Sequence, residues 1–85
     1  MWRGFIGAAA SDALDDAAGL GLRVRPAKGL GWIGSGRLDG IEVRIAWMGG
    51  IRGERTLLNI GGLKRTMPLI TSAHGLRSAL ASPEE

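Results

Sequence analysis

The chain has no cysteine and no tyrosine, a single histidine and a single phenylalanine. Without cysteine, disulfides and thiolate metal sites are excluded. The absence suits a reducing compartment, and a cytoplasmic location is the expectation. A metal centre built on one histidine would need converging carboxylates. The eight acids are scattered along the chain, so neither a metal nor a cofactor is expected. No apolar run approaches the ~18 residues that a membrane span requires. Residues 1–11 carry one base, Arg3, a short apolar stretch and Ala8-Ala9-Ala10. That stretch is at the lower limit for a signal-peptide core and holds two glycines. The segment is expected to pack on the domain instead.

What the chain does have is 45% hydrophobic residues in a length of 85. That reads as one small domain over residues 1–85, able to bury roughly 60–65% of its unfolded surface. The formal net charge is +3, but the charge is unevenly placed. Asp12, Asp15 and Asp16 cluster early, and Glu84 and Glu85 close the chain. Between residues 17 and 83, ten bases face three acids, a net of +7. Such asymmetry points to an anionic partner. A composition biased toward Ala, Gly and Arg together offers a plainer origin for the same charge.

Ser11 is placed to cap a helix whose stripe is Ala13, Leu14, Ala17 and Ala18. Asp12, Asp15 and Asp16 suit the positive end of its dipole. Gly19 or Gly21 is expected to end it. Leu22-Arg23-Val24-Arg25 alternates as a strand does, and Pro26 stops it. Residues 28–31 form a glycine loop. Gly49, Gly50 and Gly53 bracket a loop that exposes Arg52. Residues 56–60 read as a further strand turned by Gly61-Gly62. The stretch 63–71 is ambiguous, and Pro68 confines any strand there to an edge. Thr71 or Ser72 can cap a last helix with Ala73, Leu76, Ala79 and Leu80 as its stripe. Residues 82–85 read as a frayed tail.

The clearest local feature is Asp39-Gly40, which suits a two-residue type I′ turn between two alternating runs, residues 32–38 and 41–48. Counting outward places Leu38, Gly36, Gly34 and Trp32 opposite Ile41, Val43, Ile45 and Trp47 on one face. Arg37, Ser35 and Ile33 meet Glu42, Arg44 and Ala46 on the other. Gly34 and Gly36 on the apolar face invite close approach by another backbone, and the Ala-rich first helix is the expected neighbour. Together these readings give an α+β fold. A small antiparallel β-meander of three to five strands carries a short N-terminal and a short C-terminal helix packed on one face.

Motifs that carry chemistry are scarce. Gly29-Leu30-Gly31-Trp32-Ile33-Gly34 fits a dinucleotide-binding pattern, but that chemistry needs a helix after the glycines, and a hairpin follows here. Trp32 is better explained as the cross-strand partner of Trp47. Ser72 and His74 could suggest a nucleophile and base, but no nearby acid orients the imidazole. No catalytic residue is assigned, and a non-enzymatic protein is expected.

The feature with geometry behind it is a set of arginines. Arg37 and Arg44 point away from the core, as do Arg23 and Arg25 if Leu22 and Val24 point inward, and Arg55 can join them. Arginine outnumbers lysine nine to two, and guanidinium binds phosphate bidentately. The expectation is an interaction module acting through its sheet surface or edge strands on a protein partner. It can also self-associate into a homo-oligomer through an edge or an apolar patch such as Trp2, Phe5 and Ile6. The alternative is sequence-nonspecific binding of nucleic acid or another polyanion by the arginine face.

Overall fold

The computed structural model describes residues 2–29, 31–50 and 53–81. The chain runs α1 (Gly4–Ala9), α2 (Ser11–Gly19), β1 (Arg23–Pro26), β2 (Trp32–Leu38), β3 (Ile41–Met48), β4 (Arg55–Ile60), β5 (Leu63–Pro68) and α3 (Ala73–Ala81). The five strands form one antiparallel meander in sequence order. This is the expected α+β architecture, at the upper end of the expected strand number and with one further helix. Arg52 and residues 82–85 lie outside the described residues.

The β2–β3 register is the one the turn dictates. Trp32 pairs with Trp47, Gly34 with Ile45, Gly36 with Val43 and Leu38 with Ile41. Asp39 and Gly40 both have positive φ, 53° and 79°, as a type I′ turn requires. Gly61 and Gly62 make the same kind of two-residue turn between β4 and β5, with Ile60 paired to Leu63. Pro68 closes β5, which is an edge strand as expected.

The inner face of the sheet carries Val24, Val43, Ile45, Trp47, Leu58 and Ile60. The helices cover it with Ile6, Ala10, Ala13, Leu14, Ala17, Leu76 and Ala79. Alanines at these positions let α2 lie close to the sheet and to α3. The Trp47 indole occupies the centre, fully buried, and donates from Nε1 to the carbonyl of Ile70 at 3.0 Å. Its cross-strand partner Thr56 accepts from the Ile70 N–H through Oγ1 at 2.8 Å. The two side chains thus satisfy both backbone groups of the residue that leads from β5 into α3.

Several local expectations need correction. The α2 helix has no Ser11 side-chain cap: it begins at Ser11 itself, with Ala10 as the flanking residue. The chain is already helical upstream, and Leu14 N–H bonds the Ala10 carbonyl. The segment before it is the short helix α1, with Ile6 and Gly7 buried. Its existence depends on that burial, because six residues alone cannot sustain a helix. The atoms nearest to Gly34 belong to the sheet, not to a helix. A side chain there would touch the Trp47 ring at 3.4 Å and Val24 at 3.6 Å. The large indole, not the helix, fills the space the glycine leaves. At Gly36 the expected backbone approach is seen: the Gly21 carbonyl oxygen and the Leu22 Cα, just past α2, would each lie 3.6 Å from an added side chain. The proposed Trp2–Phe5–Ile6 patch does not exist as such. Ile6 is core, and Trp2 packs edge-on to Trp32 with ring centroids 5.1 Å apart, leaving Phe5 exposed.

The helix ends follow simple rules. Gly21, with φ 96°, follows α2, where its N–H bonds the Ala18 carbonyl and the Leu22 N–H bonds that of Ala17. That is the Schellman arrangement, which uses glycine's left-handed conformation to satisfy the last carbonyls. At α3, Ser72 Oγ accepts from the Gly75 N–H at 2.9 Å, so the capping expectation holds for Ser72.

Candidate anion-binding face

Alternation along five paired strands sorts the residues into two faces. With the helices on one side, the outward set of β1 is Arg23 and Arg25, and that of β2 is Ile33, Ser35 and Arg37. From β3 come Glu42, Arg44, Ala46 and Met48, and from β4 come Arg55, Leu57 and Asn59. From β5 come Lys64 and Thr66. No helix packs on this face. The five arginines expected there, Arg23, Arg25, Arg37, Arg44 and Arg55, all lie on it, and all five are exposed.

One row crosses every strand. Arg23 pairs with Ser35, Ser35 with Arg44, Arg44 with Asn59 and Asn59 with Lys64. Bases thus alternate with short hydrogen-bonding side chains. Adjacent strands lie about 4.8 Å apart, so the row is about 19 Å long and its bases stand about 10 Å from one another. Asn59 is oriented by its own turn: Oδ1 accepts from the Gly62 N–H at 3.1 Å. Its amide N–H groups are left to donate. The next row runs Arg25, Ile33, Ala46, Leu57 and Thr66. Of its apolar members, Ile33 and Ala46 are half-buried and Leu57 is exposed, at 38%. Arginine stems lie along such apolar ground while their guanidinium groups stay in water.

Lys64 and Asn59 were not among the expected site residues. The signal for both was present: counting outward from Gly61-Gly62 pairs Lys64 with Asn59, as counting from Asp39-Gly40 pairs Ser35 with Arg44. Arg65 takes the opposite face.

The face is electrostatically one-sided. Among the described residues it holds six bases, Arg23, Arg25, Arg37, Arg44, Arg55 and Lys64, and one acid, Glu42. None of the six forms an ion pair with a described residue. Glu42 stands opposite Arg37 in the register, yet the two side chains make no ion pair. Both are exposed, and in water the entropy of fixing two long side chains cancels most of the attraction. An ion pair does form between the helices. Arg77 donates from Nε and Nη2 to the two carboxylate oxygens of Asp16, both at 2.8 Å. The hydrogen bond and charge of Asp16 raise the Arg77 pKa above its ordinary value. Arg77 thus ties α3 to α2 and takes no part in the outer face.

A shallow open depression lies beside the row, between Ser35, Arg37, Glu42, Arg44 and Asn59. The residues weighed for chemistry do not converge. His74 is exposed in the first turn of α3, and Ser72 Oγ is engaged by the helix end. Trp32 of the glycine motif lies in a strand and donates from Nε1 to the Arg3 carbonyl at 3.0 Å. Among the described residues no group of three or more His, Asp or Glu could hold a metal, and no helix is long and apolar enough to cross a membrane.

Comparison with protein-family models, with curated proteins and with solved structures finds no match.

Proposed function

We propose that this protein is a non-enzymatic interaction module whose uncovered sheet face binds a polyanionic partner. The observation that carries this reading is that, among the described residues, six bases without an ion pair stand against one acid on a face that no described helix covers. The charge of such a face does not stabilise the fold, because like charges gathered on one surface repel one another. Charge that is gathered without being paired is most simply accounted for by a partner.

The face supports this reading better than the edges do. Pairs alternate between hydrogen-bonded and non-hydrogen-bonded positions outward from each two-residue turn. On that count Pro68 on β5 and Pro26 on β1 fall at non-hydrogen-bonded pairs. A residue there would aim its N–H away from the sheet, and proline has none. Each outer edge thus ends in a residue that cannot accept an added strand, a common guard against edge pairing.

The test is salt elution from immobilised heparin. The wild-type chain is expected to bind at low salt and elute well above the Arg23→Ala/Arg44→Ala variant. Equal elution of the two would remove the face from consideration.

A further inference from the structure

We infer that the polyanion is duplex nucleic acid, held through its phosphates and without regard to sequence; this rests on the reading of the face just given. Three observations narrow the partner to that class.

The first is the chemistry of the surface. Arginine and lysine are donors only, and the Asn59 carbonyl is used by Gly62, so its amide donates too. Among the described residues Glu42 is the sole acceptor-only side chain on the face. A surface of donors complements a polymer whose outer surface is acceptors, which is what a phosphate backbone presents. An acidic protein segment would bring its own backbone donors and apolar side chains. The apolar ground on this face is narrow, with Ile33, Ala46 and Met48 partly covered and Leu57 exposed, and the bases Arg44 and Lys64 border it.

The second is the spread of the charge. Across the strands the row from Arg23 to Lys64 covers about 19 Å. Along the strands, the bases run from Arg37, opposite Glu42, to Arg55, opposite Met48. Six residues at about 3.4 Å each make that about 20 Å. A small anion needs convergent donors, and along the row these bases stand about 10 Å apart at the backbone. A single strand follows one track and would leave the other bases unused. Two phosphate backbones flanking a groove about 6 or 12 Å wide fit a field of this size. With one phosphate per ~1.7 Å of axis, a duplex supplies the density.

The third is the absence of a stacking surface on the face. Proteins that hold single strands add aromatic side chains on which bases stack. Here Trp47 is in the core, Trp2 and Trp32 pack on each other, and Phe5 belongs to α1. The outer face carries no aromatic residue, and a five-stranded sheet is too broad to enter the major groove, which admits a helix or a two-stranded ribbon. Contact is therefore with backbone, not base edges.

The experiment is fluorescence anisotropy of labelled ~20-base-pair duplexes of two unrelated sequences and of one matching single strand, titrated with the full chain from ~50 to ~200 mM salt. The two duplexes are expected to bind alike, and more tightly than the single strand. Each neutralised phosphate contributes a slope of about −0.9 in log K against log salt, so four to six contacts give about −4 to −5. The variant Arg23→Ala/Arg44→Ala/Lys64→Ala is expected to flatten that slope by about 3 units while its thermal melting is unchanged. Failure to bind duplex at low salt, tighter binding of the single strand, or an unaltered slope in the variant would each overturn the inference. Heparin retention that depends on the face, with no duplex binding, would leave the polyanion reading standing and refute this inference alone. Heparin retention indifferent to the face would refute both.

Discussion

Ile70 shows how single residues organise this small core. Its N–H is taken by Thr56 Oγ1 and its carbonyl by Trp47 Nε1, and Trp47 and Thr56 are themselves cross-strand partners. One pair of side chains on the sheet therefore fixes the entry to α3. Thr56→Val keeps the shape but strands a buried N–H, and should destabilise the protein by about 1–3 kcal/mol in denaturant melts. Gly31 is under a different constraint, since a side chain there would run into the Trp47 carbonyl. Gly31→Ala should lower the melting temperature clearly, and Gly40→Ala should do so through its positive φ. Asp39 also sits at positive φ, so Asp39→Val should cost about 1–2 kcal/mol while Asp39→Asn is tolerated. These side-chain bonds to distant backbone were not readable from sequence, because Trp47 and Ile70 are separated by a strand pair whose ambiguity only the fold resolves. The turns were readable, because two-residue geometry is local.

At the scale of elements, the meander was legible wherever a two-residue turn fixed the register. The arginine row followed from the same counting, and Lys64 completes it only once β5 is known to pair with β4. Pro68 made residues 63–71 ambiguous in sequence, and its effect in the structure is to end an edge strand, not to prevent one. The α1 helix was illegible because its formation depends on tertiary contacts: Ile6 in the core, and Gly7 pressed against the Trp2 backbone, where an added side chain would come within 2.8 Å. The edges yield a prediction of their own. Replacing both Pro26 and Pro68 with Thr restores outward N–H groups at the two edges. The double variant should self-associate at concentrations where the wild type scatters light as a smaller species. Equal scattering by the two would show that proline is not what guards the edges.

For the whole molecule, the distribution of charge matters more than its total. The helices carry Asp12, Asp15 and Asp16, with Asp16 bound to Arg77, while the outer sheet face carries six bases and one acid. Folding gathers those bases without pairing them to any described residue. Removing one, as in Arg44→Ser, should therefore leave the melting temperature of the free protein unchanged or raise it, and added salt should act in the same direction by screening the repulsion. A clear fall in melting temperature would mean that Arg44 supports the fold.

The most direct test of the face is to watch the arginine Nε–H and Asn59 amide resonances by NMR while a heparin fragment is titrated into the protein. The side-chain signals of Arg23, Arg44 and Asn59 should shift together and saturably, and that of Arg77, held by Asp16 on the helix side, should stay in place. Shifts confined to Arg77 and the helices, or no shifts at low salt, would contradict the assignment of the outer sheet face as the binding surface.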